Sequence, residues 1–134
     1  MRYLLDTNMC IYAIKKKPTE VLERISKCIP GEIGLSSLTV AELEYGVAKS
    51  VAREKNQSAL EQFLLPFELI SFDHESARVY GDLRAQLERA GTPIGAMDTL
   101  IGAHAVARGL VLVTNNEREF RRIPGLKVEN WSRL

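Results

Sequence analysis

Three apolar residues in a row, Tyr3-Leu4-Leu5, closed by Asp6-Thr7-Asn8, constrain this chain more than any other stretch. A short apolar run bounded by polar residues predicts a strand covered on both faces. Such a strand belongs in the middle of a parallel sheet, with helices above and below. Its last residues then lie at the carboxyl edge of the sheet, where open α/β folds bind their ligands. An acid in that place is costly to bury without a partner. The simplest role for Asp6 is an N-cap for the next helix, a position that Asp, Thr and Asn all favour.

The same alternation continues along the chain. Residues 10–14 suit a short buried helix that Pro18 ends. A second helix starts near Thr19, with Val21, Leu22, Ile25 and Ile29 on one face. Pro30-Gly31 breaks it, and Ile33-Gly34-Leu35 reads as a second strand. Ser36-Ser37-Leu38-Thr39 opens a helix to about Ala52, its inner stripe made of Val40, Leu43 and Val47. A helix over 58–65 stops at Pro66. Residues 67–72 form a third strand and 73–89 a long amphipathic helix. After a loop at 91–95, residues 96–108 form a helix that is apolar almost all round and is capped by Gly109. A fourth strand spans 110–114, a short helix 115–120 and a last strand 126–128. Strands alternating with helices define the α/β class with a parallel sheet. The length fits one domain, residues 1–134.

Net charge narrows the partners. With 18 basic and 17 acidic residues the chain is no polycation, so contacts with nucleic acid must come from local patches. Lys15-Lys16-Lys17 is one such patch, and Arg118, Arg121 and Arg122 another; each is equally well a solvated face. Few aromatic residues are present and no stacking platform is evident, so recognition of any nucleic acid would rest on its shape and a few polar contacts. Cys10 and Cys28 match no zinc spacing and read as reduced core residues. The start shows no secretory leader and no apolar run reaches membrane-spanning length, so the expected location is cytoplasmic.

Four acids stand out: Asp6 after the first strand, Glu42 in the helix after the second, Asp98 in the nearly all-apolar helix, and Glu119 just past the fourth strand. Each has an ordinary explanation. Asp6 can cap, Glu42 can face solvent, Asp98 gains from the helix dipole, and Asn116 with Glu119 fits a relaxed capping box. Together they are harder to dismiss, because the topology can gather them at one sheet edge. Two carboxylates about 5 Å apart repel by roughly 3 kcal/mol at an effective dielectric near 20. A cluster therefore calls for a cation or shifted pKa values. An all-oxygen set suits Mg²⁺ or Mn²⁺ rather than zinc, and such ions serve phosphodiester hydrolysis. His74 and His104 are poor catalytic candidates; His104 reads as a core or interface residue on the side of its helix away from Asp98.

Four blocks of sequence carry a family resemblance. Leu4-Leu5-Asp6-Thr7-Asn8 resembles the first motif of PIN-domain nucleases, and residues 36–43, through Glu42, the second. The third, residues 91–98 ending in Asp98, with Ile101 and His104-Ala105 after it, resembles the VapC toxins of type II toxin–antitoxin pairs. Residues 113–120, then Ile123-Pro124-Gly125 and Trp131, extend the resemblance along the whole chain. It implies an α/β/α sandwich with a five-stranded parallel sheet and an acidic Mg²⁺ site. It implies a metal-dependent endoribonuclease, with the anticodon loop of a tRNA, initiator tRNA among the candidates, as substrate. It also implies a cognate antitoxin that plugs the site, and a homodimer or toxin–antitoxin hetero-oligomer.

Asp6, Glu42 and Asp98 match the three core acids of that family. Relatives place the fourth acid either where Asn116 stands or at the Glu119 position; Glu119 is taken here, with Asn116 as a polar helper, and one or two metal positions stay open. On this reading Asp6 and Asp98 hold the metal, Glu42 and Glu119 position waters, and Asn8, Ser37 and Thr114 orient the carboxylates. Two other readings remain. A phosphoacceptor receiver domain has an acid after strand one and another after strand three, here Asp73, with Thr114 as its hydroxyl. A catalytically silent PIN scaffold keeps the fold without the reaction.

Overall fold

A computed structural model describes residues 1–133. Five parallel strands, β1 (Tyr3–Leu5), β2 (Ile33–Ser36), β3 (Glu68–Ile70), β4 (Val111–Val113) and β5 (Val128–Glu129), form one sheet in the order β3-β2-β1-β4-β5. Tyr3 to Leu5 pair with Val111 to Val113 on one side, and Tyr3 and Leu4 pair with Ile33 and Gly34 on the other. The opening strand is therefore central, as its unbroken apolar run requires. Successive side chains point to opposite faces. Tyr3 and Leu5 enter a core with Met9, Leu35, Leu60 and Trp131, while Leu4 enters a second with Leu83, Ile101, Leu112 and Phe120.

Seven helices cover the two faces: α1 (Thr7–Lys15), α2 (Thr19–Ser26), α3 (Ser37–Ala48), α4 (Arg53–Leu64), α5 (His74–Arg89), α6 (Ala96–Arg108) and α7 (Glu117–Phe120). Three begin at a side-chain cap placed at a strand's end or just past it: Asp6 for α1, Ser36 for α3 and Asp73 for α5. α6 ends at Gly109 in the left-handed region, with the Leu110 amide donating back to the Ala105 carbonyl at 2.9 Å. Gly102 lets α6 lie against Ile123 and Phe120, since a Cβ there would collide with the Ile123 side chain. That close approach brings the helix bearing Asp98 against the segment bearing Glu119.

Several boundaries differ from the sequence expectations. α4 starts at Arg53 rather than near Ser58, because its first turn is polar and carries no periodic apolar signal; Leu60 is its only fully buried residue. α3 ends at Ala48, four residues early, and Val51 stands in the following turn fully exposed. The last strand pairs through Val128 and Glu129, starting two residues later than the apolar Leu126 suggested. Ile29, expected on the inner face of α2, lies beyond its end and is exposed. Among the described residues no helix is long and apolar enough to cross a membrane.

Candidate active site

The chain steps from β1 outward to β2 and β3, then crosses back to build β4 and β5 on the other side. The crevice outside the carboxyl ends of β1 and β4 is therefore the topological switch point, where open α/β sheets bind ligands. Asp6 ends β1 and Thr114-Asn115-Asn116 follow β4, so both sets line that crevice.

Asp6 is only 5% exposed. Its Oδ1 accepts the Met9 amide at 2.9 Å, so the capping role is real. Burial nevertheless pushes its pKa up to about 6; hydrogen bonds from the Thr114 hydroxyl and the Met9 amide pull the other way, and the charges of Asp98 and Glu42 add to the rise. Asp98, half-buried in the first turn of α6, is also raised, first by burial and then by Glu119, with a weaker push from Glu42 and an opposing hydrogen bond from Asn116. Asp6 feels the charges of Asp98 and Glu42, and Asp98 those of Glu119 and Glu42, so the four carboxylates share one neighbourhood.

Neutral side chains hold them there. The Asn116 amide donates to Asp98 Oδ2 at 3.3 Å and to Glu119 Oε2 at 3.1 Å. It makes no capping bond to α7; the expected capping box gives way to an amide bridging two acids. The Asn116 backbone amide donates in turn to Thr114 Oγ1 at 2.9 Å. The Thr7 hydroxyl donates to Glu42 Oε1. Thr7 was legible in sequence only as one more capping residue, although a hydroxyl directly after Asp6 was the available signal.

Two predicted helpers do something else. Ser37 does not face a carboxylate: as the first residue of α3 it turns toward the β3–α5 connection, where its Oγ accepts the Phe72 amide at 3.1 Å. The α3 cap is Ser36, whose Oγ accepts the Leu38 amide at 3.1 Å and lies 2.8 Å from His104 Nδ1. Asn8 projects from the exposed side of α1 and donates to Asn115 Oδ1 at 3.4 Å. His104 is a fully buried core residue, as expected, and His74 is exposed.

The basic candidates divide. Lys15, Lys16 and Lys17 stand at the far end of α1, roughly 13 Å from Asp6 by helix rise. Arg121 is paired with Glu117 at 2.8 Å and Arg122 donates to the Pro93 carbonyl at 3.0 Å, while Arg118 is exposed. Glu117 shows what a compensated acid looks like in this chain. It pairs with Arg121 and Arg133, and hydrogen bonding from Asn130 leads the causes that lower its pKa. Among the described residues none of Asp6, Glu42, Asp98 and Glu119 joins a salt bridge.

That imbalance fits a divalent cation. The donors are all oxygen, two of them are raised by burial and neighbouring carboxylates, and among the described residues no basic side chain pairs with them. Among the described residues no three His, Cys, Asp or Glu side chains close into a cage. An open set of this kind suits a small hard ion that keeps several waters and takes one or two carboxylates.

A buried acid at the switch point, three more beside it and a 3-2-1-4-5 parallel sheet define the class: an α/β domain with an acidic site at the switch point. The model of the PIN domain matches residues 3–126, and the chain belongs to the PIN-domain family, among its VapC toxins. It is 45% identical to the tRNA(fMet)-specific endonuclease VapC of Salmonella typhimurium over 98% of each chain. It is 48% identical to Ribonuclease VapC2 of Rickettsia felis, covering 99% of this chain and all of the relative. Among solved structures, DNA-bound VapBC from Salmonella typhimurium superposes with a TM-score of 0.92 at 45% identity, covering 98% of each chain. VapBC2 from Rickettsia felis, bound to a DNA fragment from its promoter, gives 0.88 at 47% identity, covering 98% of this chain and 99% of that one.

The strand order also disposes of the receiver alternative. A receiver sheet runs 2-1-3-4-5, with strands one and three adjacent. Here β2 separates them, which puts Asp73 roughly 10 Å across the sheet from Asp6.

Proposed function

We propose that this chain, as one PIN domain over residues 1–134, is the toxin of a toxin–antitoxin pair and a metal-dependent endoribonuclease whose substrate is a tRNA, cleaved in the anticodon loop. The observation that carries the reading is the buried, uncompensated Asp6, its pKa raised to about 6 beside Asp98 and Glu42. The naming of the Salmonella relative as a tRNA(fMet)-specific endonuclease supports the substrate and makes initiator tRNA the first to test. The complexes of relatives titled VapBC support a cognate antitoxin and a homodimer or hetero-oligomer as the stored form.

Asp6 and Asp98 would hold Mg²⁺ or Mn²⁺, which when bound would supply positive charge for the phosphate oxygens and lower the pKa of water. Glu42, oriented by Thr7, and Glu119, oriented by Asn116, accept hydrogen bonds from waters beside the scissile phosphate. Either carboxylate can take the proton of the attacking water as general base. Thr114 steadies Asp6 in the charged form that a cation needs.

Purified chain incubated with total RNA tests this reading directly. Discrete fragments with Mg²⁺, absent with EDTA and absent for Asp6→Ala, are the expected result. Retained Mg²⁺ binding without cleavage, in protein free of antitoxin, would favour the silent scaffold.

A further inference from the structure

Asn8, Asn115 and Tyr12 form a polar relay that the acids do not use. Asn8 Nδ2 donates to Asn115 Oδ1 at 3.4 Å, and Asn115 Nδ2 donates to the Tyr12 hydroxyl at 2.8 Å. Asn8 and Tyr12 are four residues apart on α1, so they are neighbours on one helix face. Asn115 reaches them from the β4–α7 turn. It stands between Thr114, which bonds Asp6, and Asn116, which bonds Asp98 and Glu119. The relay therefore borders the acid crevice on both of its supporting segments.

Asn and Tyr side chains also donate to backbone phosphates, contacts that position the nucleic acid without reading it, but a phosphate offers only acceptors. These three side chains are uncharged, and the two amides carry acceptors as well as donors. After their internal bonds, Asn8 keeps one N–H and its carbonyl oxygen, Asn115 keeps one N–H and a lone pair, and Tyr12 keeps its O–H. Asparagine amides present a donor and an acceptor side by side, the arrangement that takes a base edge with two hydrogen bonds. Unpaired loop bases in RNA expose such edges. The relay also fixes the amides before binding, which lowers the ordering cost.

We propose that Asn8, Asn115 and Tyr12 form a nucleobase subsite that reads the edge of one unpaired base flanking the scissile phosphate. This inference rests on the ribonuclease reading. The test begins by mapping the cleavage site of the full-length chain, then replacing each flanking nucleotide of a synthetic stem-loop RNA with the other three bases. Wild-type protein is expected to discriminate by about 5- to 150-fold in kcat/KM at one flanking position. Asn8→Ala and Asn115→Ala should reduce that ratio to less than about threefold while discrimination at the other positions persists. Tyr12→Phe, which keeps the ring and removes only the hydroxyl, should reduce it by a smaller factor. Variants that cut RNA with the wild-type base preference would overturn the subsite and leave the nuclease reading standing. Wild-type protein that cuts no RNA under any metal condition would overturn both.

Discussion

Asp6 and Asp73 are the same residue by every local measure. Each follows a strand of the parallel sheet, each caps the helix that comes next, and each accepts the amide three residues on at 2.9 Å. Their electrostatics are opposite. Asp6 is buried and raised to about 6, whereas Asp73 is exposed and lowered, first by its hydrogen bond from the Ser76 amide. The difference comes from the sheet. β1 lies between β2 and β4, so its end is walled by neighbouring strands and faces Asp98 and Glu42. β3 is an edge strand, and its end opens to water. A cap motif therefore says where a helix begins; the position of its strand in the sheet decides whether the same carboxylate is also a ligand.

The largest expected effect separates the two outright. Asp6→Asn keeps a capping side chain and removes the acid, and should lower RNA cleavage by at least about 100-fold. Asp73→Asn should leave the rate within about twofold. Equal losses in both variants, read as single-turnover rates on one RNA, would break the comparison.

Stability should respond to pH with opposite signs at the two positions. A folded pKa near 6 against an ordinary 3.8 means that the folded state binds this proton more tightly than the unfolded chain. The stability Asp6 contributes is thus fully present below 3.8 and is lost as pH rises through about 6, a change of about 3 kcal/mol. Asp73, lowered when folded, contributes stability that is present above the ordinary value and lost as pH falls through its folded pKa. Urea unfolding in EDTA from pH 3 to 8 should show the first trend shrink in Asp6→Asn, leaving the part of the same sign that Asp98 contributes. Added Mg²⁺ should offset it in the wild type, because a cation bound only by the folded state raises stability.

The residues that follow the two caps sharpen the contrast further. Thr7 comes after Asp6 and His74 after Asp73. Thr7 donates to Glu42, so Thr7→Val should lower the cleavage rate by about 10- to 100-fold with little change in KM, and Thr7→Ser should recover most of it. His74→Ala should do neither. A Thr7→Val enzyme with wild-type kcat would mean that Glu42 needs no positioning.

Much of this was legible in the chain. The apolar run at residues 3–5 announced a central strand, and the placement of three of the four acids at or just after strand ends made a shared edge one that the topology could build. Burial of α6 followed from its composition, and Gly109 marked its end. Other features depended on contacts that spacing does not encode. Ser36 and Ser37 are adjacent hydroxyls of equal capping value, and only the packing of His104 and Phe72 shows that Ser36 caps while Ser37 serves the β3–α5 connection. Asn116 and Glu119 obey the spacing of a capping box, but the nearby Asp98 carboxylate captures the amide instead. The polar first turn of α4 had no apolar period to reveal it.

The smallest expected effect concerns Asp73 alone. If its role is the cap and nothing more, Asp73→Ala leaves one orphan amide at the start of α5 and lowers Tm by on the order of 4 °C. Asp73→Asn, which can still accept the Ser76 amide, should lie within about one degree of the wild type at pH 7. Neither variant should alter the cleavage pattern, since β2 stands between Asp73 and the acid crevice. A thermal scan and one cleavage map of both variants decide the matter. Loss of cleavage with Tm intact would mean that the β3 end reaches the substrate, and the division between a capping carboxylate and a ligand carboxylate would have to be redrawn around the edge strand.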